Sequence, residues 1–181
     1  MVKLKENEMP LLQKHLLRYA QLSQTFFTVQ ENNHNFPFDQ LKEVEERNDI
    51  PPLYEEAKSF LYSHKWCKKV DKGWYDEDFN ILDKLGVFLF KIEPINDDVD
   101  NHIWIIVGDL PSVYLDASVE TGKEALEAYC ELMSEWVNNV LKGQSLEESY
   151  PVDAQPTEES AELLKKRIDF IKRELLMEAE G

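Results

Sequence analysis

Two apolar runs near the middle of the chain dominate its pattern. Residues 87–95 read Val-Phe-Leu-Phe-Lys-Ile-Glu-Pro-Ile, and residues 102–111 read His-Ile-Trp-Ile-Ile-Val-Gly-Asp-Leu-Pro. Both are rich in β-branched and aromatic residues, too short for helices, and bounded by turn residues, so each predicts a strand. The polar stretch 96–101 between them makes a hairpin the simplest connection. After the turn at 108–111, Val113, Tyr114 and Leu115 predict a third short strand.

Helical spacing governs the rest. Leu12, His15, Leu16, Tyr19, Leu22, Phe26 and Phe27 predict a helix to about residue 27. A short helix is expected over 39–47, with Leu41 and Val44 inward. After the break at Pro51 and Pro52 comes another, whose face holds Ala57, Phe60, Leu61 and His64. Residues 64–75 read as a solvated helix end with lysines near its C-terminus. Residues 76–86 read as a further short helix, acidic in its first turn and closed by Gly86.

Thr121 and Glu124 have the capping-box spacing, and the apolar stripe from Ala125 to Leu141 predicts a long helix that Gly143 stops. The last helix starts near Thr157 and buries Leu164, Ile168, Ile171 and Leu175. The fold class expected is α+β: a small antiparallel sheet of two or three strands, residues 87–115, packed by helices from both chain ends. Residues 1–181 are expected to form one domain, mainly helical over 1–86 and carrying two long helices over 120–178.

Charge changes the picture most. Lys and Arg number 20 against 36 Asp and Glu, a net charge of -16. The excess is uneven: residues 1–108 are net -6 and residues 109–181 net -10. Such a chain repels nucleic-acid phosphates and anionic lipid, so neither nucleic acid nor membrane is an expected partner. A basic protein partner is expected, whose approach the charge would steer. The carboxylates clustered in sequence, Asp76, Glu77, Asp78, Asp97, Asp98 and Asp100, are the candidate contacts. The two cysteines make no disulfide framework, no apolar run is long enough to span a membrane, and no leader peptide is visible, so a cytoplasmic location is expected.

Candidate chemistry is sparse. His64 and Cys67 lie three residues apart, but a metal site needs three or four converging ligands and no second pair matches. Lys68 and Lys69 could lower the Cys67 pKa. The spacing of Asp97, Asp98 and Asp100 lacks the ligand series of a calcium loop. No phosphate-binding glycine loop or nucleophile elbow is present, so neither cofactor nor metal is expected, nor enzymatic activity. Asp109 follows a strand and a glycine, where a catalytic carboxylate can sit. The turn also explains it, by bonds to nearby backbone amides. An alternative site joins Trp104, Asp109, Tyr114 and Trp136 in an apolar cleft serving a small ligand or an enzyme's substrate.

The stretch Trp104-Ile-Ile-Val-Gly108-Asp109-Leu110-Pro111-Ser-Val-Tyr114 resembles the signature of an uncharacterised bacterial family, with a Trp-bearing strand, Gly-Asp-Leu-Pro and a following Tyr. The likeness continues through Glu124-Ala125-Leu126 to Trp136, and more loosely from Pro156-Thr157-Glu158-Glu159 into the last helix, covering 103–175. It implies kinship and no activity. In its small size, acidity and lack of a catalytic constellation the chain is similar to bacterial immunity proteins. That profile implies an inhibitor that neutralises a basic toxin domain, often a nuclease.

Overall fold

A computed structural model describes residues 36–45 and 50–177. The helix expected over residues 8–27 lies outside them. Among the described residues the fold is α+β. Five antiparallel strands follow one another across the sheet in chain order, β1 (Lys42–Glu43), β2 (Cys67–Tyr75), β3 (Leu85–Pro94), β4 (His102–Gly108) and β5 (Val113–Leu115). Three helices accompany them: α1 (Tyr54–Tyr62), α2 (Gly122–Leu141) and α3 (Glu158–Ile171), the last running into a wider turn over Lys172–Leu176.

The expected hairpin is β3 and β4, in register from Leu85 opposite Gly108 to Lys91 opposite His102. Its near-continuous apolar sequence has a direct cause, because both faces of the sheet are covered. Tyr54 of α1 packs its ring 5.6 Å from Phe88 and 5.3 Å from Phe90. Side chains alternate along a strand, so Val87 and Leu89, with their neighbours Trp104 and Ile106, turn to the opposite face. There α2 packs on β3 and β4, and all four are fully buried.

The sheet is wider than the two or three strands expected, because β1 and β2 form where the sequence pattern predicts helix. Two register shifts interrupt the β2–β3 pairing, between Cys67 and Lys69 and between Val70 and Lys72. Each slips the side-chain phase by one residue, so β2 never shows a period of two. Its lysines face solvent and pair with acids: Lys68 with Glu93, Lys69 with Asp71, and Lys72 with Glu43 of β1. Trp66 and Trp74, the two indoles of this stretch, are both buried, so it is not a solvated helix end.

The helix expected over 76–86 is also absent. Asp76 accepts from the Asp78 amide and caps a single tight turn, Glu77–Phe79. The Asn80 amide then bonds the Val87 backbone in both directions, at 3.3 Å each, standing in for a strand neighbour. Gly86 lies within β3 rather than closing a helix. Over 39–45 a turn leads into β1 instead of a helix.

The later helices follow their local signals. The Thr121 hydroxyl accepts from the Glu124 amide at 3.1 Å, and the Glu124 carboxylate accepts from the amides of Glu120 and Thr121. Gly143, at φ +63°, ends α2. Thr157 caps α3, whose buried residues are Ala161, Leu164, Ile168 and Ile171. Packing of α3 on α2 carries its exposed face past the corner where β4 leaves the sheet.

Candidate functional site

That corner is built on Gly108. Its φ of +132° suits glycine, and a Cβ there would lie 2.2 Å from the Lys84 carbonyl oxygen. The Asp109 amide donates to the same oxygen at 2.9 Å. With its backbone held this way, Asp109 reaches outward. Its carboxylate accepts from Arg167 of α3 at 2.9 Å and lies 3.9 Å from the Lys84 ammonium. The partner of this carboxylate is thus not an amide of its own turn but a guanidinium 58 residues further on.

A cleft of about 460 Å³ opens beside this pair. Of its lining residues, Leu85 and Ile171 are buried and Ile81 and Leu110 half-buried, which makes them the floor; the exposed Leu163 and Phe170 flank it, and the exposed Lys84, Lys166 and Asp109 with the half-buried Arg167 are its charged rim. Residues 165–173 hold five cations and one acid, the reverse of the chain's overall balance. The sequence hid this site because its walls come from three separate stretches of chain.

Of the four residues of the expected aromatic cleft, only Asp109 lines this cavity. Trp104 is fully buried, and its indole N–H donates to the Val119 carbonyl at 2.9 Å. Trp136 is buried on α2. Tyr114 pairs with Ile105 and so points to the face opposite Trp104, where it packs 5.1 Å from Trp66. Two residues on opposite faces of one sheet cannot line one cleft.

The six acids singled out in the sequence divide into two groups. Asp76, Glu77 and Asp78 follow β2, where the Asp76 amide bonds Val87 early in β3. Asp97, Asp98 and Asp100 follow the far end of β3. The seven residue steps of β3 from Val87 to Pro94 put roughly 23 Å between them. Several are occupied inside the fold. Asp76 abuts Gly122 at the start of α2, Glu77 pairs with Lys42, and Asp100 accepts from the Ala117 amide at 3.1 Å. Asp78, Asp97 and Asp98 are exposed.

A denser run of acids lies elsewhere in the chain. Residues 116–162 contain twelve acids and two lysines. Within them Glu124, Glu127, Glu131 and Glu135 recur three, four and four residues apart on α2, which aligns them along one helix face. Glu124 and Glu131 are exposed, Glu127 and Glu135 half-buried. The sequence carried this signal as helical periodicity of charge, which clusters of adjacent acids do not reveal.

Although Glu131 is exposed as a residue, partial desolvation of its carboxyl against the helix pair raises its pKa, opposed by Lys172 and reinforced by Glu127. Burial likewise raises Asp76, opposed by its bond from the Asp78 amide and reinforced by Asp78 and Glu77. A raised carboxyl binds its proton more tightly folded than unfolded. Its contribution is therefore fully present at low pH and is lost as pH rises through the folded value, above the ordinary 3.8 for Asp76 and 4.5 for Glu131. The fold is expected to be more resistant to urea at about pH 5 than at about pH 7, with a smaller gain in the double variant D76N/E131Q. An unchanged or lower midpoint at the acidic pH would contradict this. Asp71 acts in the opposite sense, lowered by its bond from Lys69, but it is exposed.

Thiol chemistry has little support. Burial raises both thiols, Cys130 to about 12, and at Cys67 it outweighs the lowering bond from the Lys69 backbone, so Cys67 is not held as a thiolate. His64 points its Nδ1 at the Phe60 carbonyl, 2.8 Å away. Among the described residues no three of His, Cys, Asp and Glu converge as a metal site, and no helix is long and apolar enough to cross a membrane. Comparisons with protein families, curated proteins and solved structures found no match to this chain.

Proposed function

We infer that this chain is a binding protein of the immunity type, which inhibits a basic toxin domain by covering its cationic surface with carboxylates. The observation that supports the reading is the glutamate row on α2, set within a stretch of twelve acids and two lysines. A helix held on a sheet at one side and on α3 at another presents these charges from a rigid support, with little ordering to be lost on binding. Long-range attraction speeds encounter with a basic partner, and the carboxylates then compete with nucleic-acid phosphate for the same cations. In this reading the chain binds and does not catalyse. The contact surface moves from the two groups of acids at opposite ends of β3 to the α2 face between the loop at 116–121 and α3.

The test is protection. Co-expression of the chain with a basic toxin domain encoded at the same locus should restore growth. Charge reversal in E127K/E131K should abolish protection and slow association by about tenfold at low salt. A locus without such a domain, growth that stays arrested with the native chain, or full protection by the reversed variant would each remove the reading.

A further inference from the structure

We propose that the cleft between α3 and the Gly108-Asp109 corner binds a small amphipathic carboxylate, of the class of a medium-chain fatty acid. The site shares no residue with the glutamate row of α2, so its fate is independent of the inhibitor reading.

Size and shape come first. A volume of about 460 Å³ falls within the ~300–1,000 Å³ typical of small-molecule sites. The floor is aliphatic, and the side walls leave apolar surface in water: Leu163 is 47% exposed and Phe170 43%. They stand seven residues apart, on one face of α3, above the buried Ile171. An apolar chain laid along this face would remove both side chains from water.

Charge sets the other end of the ligand. Lys84, Lys166 and Arg167 meet a single acid, Asp109, so the rim is cationic in a chain of net -16. Arg167 uses one terminal nitrogen, Nη2, on Asp109. A guanidinium has five N–H donors in a planar fork. Its remaining donors and the exposed Lys166 ammonium can receive a second carboxylate, and charge-assisted bonds of this kind are the strong ones. The carboxylates of α2 would repel such an anion at a distance, but charge interactions in water are screened over about 8 Å at physiological salt. A polar phosphate compound would gain from the rim and nothing from the aliphatic floor. An uncharged chain would gain only from the floor. The combination selects a ligand with one anionic head and one apolar body.

The experiment titrates the full chain by calorimetry with decanoate and decyltrimethylammonium below their micellar concentrations and with decanol below its aqueous solubility. Decanoate is expected to bind once and saturably, decanol about tenfold more weakly, and the cation without measurable affinity. Lys166 is exposed at the rim, so K166Q leaves the fold intact; K166Q and K166Q/R167Q should weaken decanoate progressively and leave decanol unchanged. F170A should weaken decanoate and decanol alike. Absence of saturable decanoate binding overturns the proposal. So does equal affinity for the three head groups, or indifference of decanoate to K166Q/R167Q.

Discussion

Trp104→Ala is expected to cost about 3–5 kcal/mol of unfolding free energy, the range for removing a large buried aromatic side chain. The expectation rests on where the ring sits. Trp104 lies in the middle of β4, paired with Leu89 on one side and Leu115 on the other, and it is fully buried. Its loss leaves a cavity between sheet and α2 that the flanking strands cannot close. It also strips the Val119 carbonyl of its donor, two residues before the α2 cap. A milder variant separates the two effects. Trp104→Phe keeps most of the apolar body and loses the N–H, so it should cost about 1–3 kcal/mol, the price of one buried acceptor left unsatisfied. Equilibrium unfolding in urea, followed through the remaining tryptophans Trp66, Trp74 and Trp136, reads both. A loss below about 1 kcal/mol for the alanine variant would show that the ring does not hold α2 on the sheet.

Gly108→Ala is expected to be the second most damaging change, at about 3 kcal/mol, the upper end for one strained backbone position. Two separate penalties act there. A φ of +132° is foreign to any residue with a side chain, and the added methyl would lie 2.2 Å from a carbonyl oxygen that cannot swing away, because it belongs to the backbone of Lys84. Gly143→Ala is the control. Gly143 also has a positive φ, +63°, but no atom lies within 4 Å of where its Cβ would be. It should cost only about 1–2 kcal/mol, the left-handed penalty alone. Thermal unfolding of the two variants side by side measures the difference. Equal losses would mean that the contact with Lys84 contributes nothing. Because the same contact fixes the Asp109 amide on the Lys84 carbonyl, G108A should also disorganise the cleft rim, and decanoate binding would fall with stability.

The candidate sites were legible in the sequence to very different degrees. Asp109 stood out because a carboxylate after a strand and a glycine is conspicuous, yet its partner Arg167 is 58 residues away and its cleft needs Ile81 and Phe170 as well. Trp104 and Tyr114 looked like neighbours in a cleft because both are large aromatics near the same turn. The register of β4 with β5 sends them to opposite faces. Acids adjacent in sequence drew attention at 76–78 and 97–100, and β3 holds those groups apart. The glutamates that share a surface are three and four residues apart on α2, a spacing that has meaning only once the segment is known to be helical.

By itself the sequence determined the elements whose signals are local. The β3–β4 hairpin and β5 follow from short β-branched and aromatic runs between turns. The start of α2 follows from the Thr121–Glu124 box, its end from Gly143, and the inward face of α3 from its 3.6-residue period. Tertiary structure decided the rest. Strand β2 exists because β3 offers it a pairing edge, and its two register shifts erase the alternation that would have announced it. The covering of both sheet faces, the distance between the acid groups and the cationic cleft in an acidic chain depend on which distant segments meet. Periodicity reports how a segment relates to its own axis; it holds no information about which other segment lies across from it.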